Sequence, residues 1–144
     1  MEPHRIQVPA ESLPEPSALR ALDLLRRGRR FLICGHARPD GDCIGAEAAL
    51  SRTLTLLGKE VEIMNPDPVE PRFAYLSREC PYQTFRGSLP DHDVAVLLDF
   101  SEITRTGAMA GPLTLAPSKK LVVDHHIHHG EVWWDEAYVD ATAS

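Results

Sequence analysis

Four short runs, Phe31-Leu-Ile-Cys-Gly35, Val61-Glu-Ile-Met64, Val94-Ala-Val-Leu-Leu98 and Lys120-Leu-Val-Val123, constrain this chain more than any other feature. All but the second lack the apolar–polar alternation of a strand with one wet face. Strands of that kind are buried on both sides, which is the situation in a parallel sheet covered by helices. The segments between the runs carry helical spacing. Over residues 17–29, Leu19, Leu22, Leu24 and Leu25 recur on one side, and Arg26, Arg27, Arg29 and Arg30 load the C-terminal end favourably for the helix dipole. Residues 41–57 predict a second helix with Ile44, Ala48, Leu50, Leu54 and Leu57 facing inward and Gly58 as its stop. Shorter helical segments are expected at 72–76 and 103–110. Strands alternating with helices predict a doubly wound α/β fold with a mainly parallel sheet and helices on both faces.

The chain has 144 residues, about one domain, and its 43% hydrophobic and 25% charged content is ordinary for a globular protein. Residues 1–16 hold four of the twelve prolines and read as an extended lead-in to a domain spanning 17–144. No apolar run reaches the roughly 20 residues of a membrane span, and the start lacks a secretory apolar stretch, so a cytoplasmic location without membrane contact is expected. Three widely spaced cysteines form no disulfide framework and no CxxC pair; Cys34 and Cys43 read as small core residues. A net charge of −6 argues against coating long nucleic acid, while leaving room for a small nucleotide or short oligonucleotide held by a few local cations.

Three of the four predicted strands end in polar, chemistry-bearing residues: the first runs into His36, the third into Asp99 and the fourth into Asp124-His125-His126. Ligands of open parallel sheets bind beyond the carboxyl ends of the strands, so these residues are expected to converge. The turn Ala37-Arg-Pro-Asp40-Gly-Asp42 adds two carboxylates; Pro39 disfavours helix at Arg38, and Asp42 is a natural N-cap. Asp40, Asp42, Asp99 and Asp124 in one crevice would repel unless protons or cations neutralised them. Carboxylates with imidazoles and no thiolate suit divalent ions such as Mn²⁺ or Mg²⁺, and several bridging-capable carboxylates suggest two ions. Such a pair, about 3.5–4 Å apart, can activate a water and clamp the oxygens of a displacement at phosphorus.

His36-Ala-Arg-Pro-Asp-Gly-Asp-Cys-Ile-Gly45, Leu97-Leu-Asp99 and Asp124-His-His126 resemble the first three motifs of the DHH phosphoesterase superfamily, with greatest similarity to its nanoRNase branch from about Arg29 onward. The resemblance implies a manganese-dependent hydrolase of very short RNA oligonucleotides, of 3′-phosphoadenosine 5′-phosphate, or of both. It implies that His36 and Asp40 bind one ion, Asp42 the other, Asp99 both, and that His125 completes the second site. His126 would face the substrate phosphate, and Asp124 would orient the imidazoles. Arg105, in Thr104-Arg-Thr-Gly107, matches a family Arg-x-Gly pattern and is a candidate substrate contact. Gly45-Ala46 stands where the family usually has Gly-Ser, which removes a hydroxyl.

A further metal-binding Asp from a later Asp-Thr-Gly-like motif has no match after His129; Asp140, in Val139-Asp-Ala-Thr142, belongs to another stretch. The chain is therefore expected to be the N-terminal part of a longer enzyme, with the rest of the catalytic domain and the substrate-binding domain absent, and by itself weak in metal binding and hydrolysis. Homodimerisation is left open. Rival readings with the same motifs are a cyclic-dinucleotide phosphodiesterase, a single-strand exonuclease and an exopolyphosphatase or pyrophosphatase. A noncatalytic nucleotide-binding regulator is a rival of another class. His128 and His129 read as loop residues flanking the site. Trp133, Trp134 and Tyr138 read as core packing ahead of base stacking, and the arginines at 26–30 as a solvated helix end.

Overall fold

The computed structural model describes residues 15–143. Its centre is a six-stranded, wholly parallel sheet in the order β3-β2-β1-β4-β5-β6. The strands are β1 (Arg30–Cys34), β2 (Glu60–Asn65), β3 (Tyr82–Thr84), β4 (Val94–Leu98), β5 (Lys119–Asp124) and β6 (Glu136–Val139). The apolar runs account for the middle of the sheet: every residue of β4 is buried, as are Phe31, Leu32, Ile33 and Cys34 of β1. Helices α1 (Pro16–Arg27) and α2 (Gly41–Leu56) cover one face, where Ala21 and Leu54 pack with Phe31, Ile33, Val96 and Leu121. On the other face a 3₁₀ segment, Ile103–Met109, leads into α3 (Ala110–Leu115), and Met109 and Leu113 pack on Leu32, Leu97 and Val122. This is the expected doubly wound α/β fold. Of the expected lead-in, residues 1–14 lie outside the described residues, and Pro16 is already the first residue of α1.

Several local expectations change. β3 and β6 were not foreseen; both are short edge strands with half-buried residues, and so lack an apolar run. The segment near 72–76 is a longer 3₁₀ helix, Pro71–Arg78, and 103–110 is 3₁₀ broken at Gly107 rather than a regular helix. Leu57 is 68% exposed, because α2 ends at Leu56 and Gly58 turns the chain away with φ +78°. In its place the inner stripe of α2 carries Cys43, Ile44, Glu47, Ser51 and Leu54. The tryptophans and Tyr138 do pack against the core, on opposite faces of the sheet.

Candidate metal centre

Strand order reverses direction between β1 and β4, and at such a switch point the flanking chain segments leave a crevice beyond the strand ends. His36 leaves β1 and Asp99 leaves β4 on either side of that crevice, while Asp124 ends the adjacent β5. The register places these ends level: Cys34 pairs with Leu97 and Leu98 with Val123. Asp99 takes φ +68°, a left-handed conformation that Asp tolerates better than most residues, and this turns its side chain back over the strand ends.

The loop after β1 is held by its own backbone. Gly35 N–H donates to Asn65 Oδ1 (2.7 Å), Ala37 N–H to the Arg105 carbonyl (2.7 Å) and Arg38 N–H to Asp67 Oδ2 (2.8 Å). Arg38, before Pro39, sits at φ +51°, outside the right-handed helical region. Helix α2 then begins with Asp40 as its N-cap, whose Oδ1 accepts from Cys43 N–H at 3.0 Å; Asp42 is in the first turn and is not the cap expected from the sequence. The cap falls two residues earlier than Asp42 because Gly41 already adopts helical geometry, which leaves Asp40 as the last extended residue.

The imidazoles at the strand ends face carboxylates. His36 Nδ1 lies 2.8 Å from the Ala37 carbonyl, which can only accept, so Nδ1 carries the proton. That leaves the Nε2 lone pair facing Asp99 Oδ2 at 3.4 Å and Asp40 Oδ1 at 3.8 Å. His125 Nε2 faces the other Asp99 oxygen at 2.8 Å and Asp42 Oδ2 at 3.2 Å. One carboxylate thus presents each oxygen to a different imidazole. Once Nε2 is protonated it donates to Asp99, and this hydrogen bond raises the pKa of both His36 and His125. Burial works to raise the pKa of Asp99, but the two imidazoles outweigh it and hold it below the usual carboxylate range.

Asp124 is buried, and its Oδ1 accepts from the His125 backbone N–H (2.8 Å) and from His126 Nδ1–H (2.7 Å); its Oδ2 is buried without a partner among the described residues. Atoms of Asp99, Asp124, His125 and His126 lie within 4.8 Å of one another, as do those of His36, Cys43 and Asp99. The donor set, two oxygens of Asp99 shared between two imidazoles with further carboxylates on each side, fits a pair of divalent ions of oxygen and nitrogen preference. Asp42, Asp99, Asp124 and His125 open on a cleft of about 260 Å³, which Tyr138 and Asp140 also line. Asp140, set aside in the sequence reading, reaches the cleft because β6 brings it level with Asp124, although its Oδ1 is engaged by Thr142. Arg105 stays out of this cleft; its exposed side chain lines a smaller hollow of about 120 Å³ with Ser101, Glu102 and His126.

Residues 30–143 match the DHH family, N-terminal domain. The chain belongs to this family. Its structure superimposes on the crystal structure of an exopolyphosphatase-related protein from Bacteroides Fragilis with a TM-score of 0.76 at 20% sequence identity, covering 91% of this chain and 40% of that one. At that identity the likeness concerns the fold, and this DHH domain spans less than half the length of that relative. No curated protein matches the chain in sequence. Among the described residues no helix is long and apolar enough to cross a membrane.

Proposed function

We propose that the protein is a divalent-metal-dependent phosphoesterase, with His36, Asp40, Asp42, Asp99 and His125 holding two ions, Mn²⁺ ahead of Mg²⁺. The observation that carries this reading is the Asp99 carboxylate set between two imidazole Nε2 atoms, 3.4 Å from His36 and 2.8 Å from His125, with Asp40 and Asp42 beside them. DHH family membership supports the same chemistry. When bound, such ions lower the pKa of a water and withdraw charge from a phosphoryl oxygen. The chain's own residues do the rest. Asp124 orients the His126 ring by accepting from Nδ1–H, so that Nε2 donates to a phosphoryl oxygen when the ring carries a proton on both nitrogens, and Arg105 across the same hollow offers a positive contact. Short oligonucleotides and 3′-phosphoadenosine 5′-phosphate are the proposed substrates, since the His36–Gly45 motif has the form of the nanoRNase branch.

The test is a chromatographic assay of the full-length protein with Mn²⁺ and, in parallel, a dinucleotide, 3′-phosphoadenosine 5′-phosphate, cyclic di-AMP and polyphosphate. Cleavage of either of the first two supports the proposal; preferential turnover of cyclic di-AMP or polyphosphate reassigns the substrate. Binding without Mn²⁺-stimulated cleavage of any of them makes the protein a nucleotide-binding regulator.

A further inference from the structure

Glu47 is a buried carboxyl that the proposed chemistry does not use. It lies at 0% exposure on the inner stripe of α2. A carboxyl without a cation in such a place costs several kcal/mol if ionised, and burial pushes its pKa up to about 8. One oxygen accepts from Asn65 Nδ2 at 3.0 Å; the other is buried with no partner among the described residues. Apolar residues would fill this volume at lower cost, so the carboxyl calls for an explanation other than packing.

Its surroundings supply one. Asn65 ends β2, and the same amide that donates to Glu47 accepts, through Oδ1, the Gly35 N–H at the exit of β1. The fit there is tight: a Cβ built on Gly35 would stand 2.1 Å from Cys43 Sγ, 2.9 Å from Glu47 Oε1 and 3.0 Å from Asn65 Oδ1. Gly35 therefore has to be glycine, and the carboxyl presses directly against the backbone that leads into His36. The link joins the exit of β1, which leads to His36, to the helix that Asp40 caps and whose first turn carries Asp42.

We infer that Glu47 is a positioning residue: through Asn65 and Gly35 it fixes the distance between His36 after β1 and the Asp40–Asp42 pair at the start of α2. This rests on the metal-site reading above. Outer partners that orient metal ligands typically change affinity by roughly 10–100-fold when removed.

The test uses the full-length protein and two variants. Glu47→Met keeps the volume and removes the polar link; Glu47→Gln keeps an oxygen that can accept from Asn65. Mn²⁺ affinity is measured by titration calorimetry, and backbone hydrogen exchange is followed at Gly35 in the metal-free protein. E47M is expected to melt no lower than wild type, to lose roughly tenfold in Mn²⁺ affinity, and to exchange faster at Gly35 while Ile33 stays protected. E47Q is expected to restore both. Native affinity and native Gly35 protection in folded E47M would overturn the inference, as would an E47Q as impaired as E47M. Should E47M not fold, Asn65→Ser breaks the same link from β2, and native affinity in that variant overturns it equally. Absence of Mn²⁺ binding by wild type would instead remove the metal reading, and the Gly35 exchange would still decide the link.

Discussion

Glu47 also makes the stability of this protein depend on pH in a way that can be worked out in advance. Its carboxyl is raised from 4.5 to about 8 by burial in the folded state and returns to its ordinary value on unfolding. Between those two pH values the folded chain holds a proton that the unfolded chain has lost, so stability falls as pH rises. The contribution of Glu47 is highest below pH 4.5, declines by about 1.4 kcal/mol per pH unit across the window, and levels off above pH 8. The full span is on the order of 5 kcal/mol, comparable to the whole stability of a small domain. Glu47→Gln removes the titration. Urea unfolding of metal-free wild type and E47Q at intervals from pH 5 to 9 should therefore give curves that meet near the acidic end and diverge steadily, with E47Q several kcal/mol more stable at the alkaline end. Subtracting one curve from the other cancels the histidines and remaining acids. Parallel curves would refute the reasoning, since they would mean that Glu47 is already ionised in the folded protein.

Other expectations concern the metal centre itself. Asp99→Asn should fold as wild type, because Asn also tolerates the left-handed backbone at φ +68°, yet abolish Mn²⁺-dependent hydrolysis; near-normal turnover would remove the bridging role. Asp40→Asn should keep the helix cap and lose Mn²⁺ affinity, whereas Asp40→Ala should lose both, with about 1 kcal/mol of stability gone in chemical denaturation. Protons compete with the ions for His36 and His125, whose pKa values are raised by their hydrogen bonds to Asp99. Mn²⁺ affinity measured by calorimetry should thus begin to fall above pH 6.5 on acidification. The metal-free site behaves oppositely: the stability contributed by the raised imidazoles is complete below 6.5 and lost as pH rises through their folded values, and that of Asp99 is lost as pH falls below 3.8. Arg105→Ala should raise KM more than it lowers kcat in steady-state kinetics, since its side chain faces the hollow beside His126 and not the cleft.

The middle of the sheet was legible because its strands are buried on both faces and the chain has to write that burial in apolar residues. The edges were not. Tyr82-Gln-Thr84 and Glu136-Ala-Tyr-Val139 are half-exposed and held mainly by backbone pairing, which any sequence can supply. The strand-end residues His36, Asp99 and Asp124 were readable from position alone, since a polar residue directly after a buried strand in a parallel sheet has only one edge to face. Glu47 was harder. It falls at helical spacing with Ile44, Ser51 and Leu54, and that register placed it inside, but a glutamate in a helix ordinarily faces water. Asn65, at the end of a strand that carries no site residue, gave no comparable sign.

The wholly parallel sheet has a consequence for when the centre can exist. Parallel neighbours cannot be joined by a tight hairpin, so every pairing that brings site residues together closes a long loop of chain. His36 meets Asp99 only after β1 has found β4, and His125 arrives only with β5. A nascent or partly folded chain therefore displays no two-imidazole cradle for a metal to seize, and an ion cannot template the fold from the start. On the proposed two-ion reading, metal capture would follow the β1–β4 and β4–β5 pairings and so act on a sheet already formed.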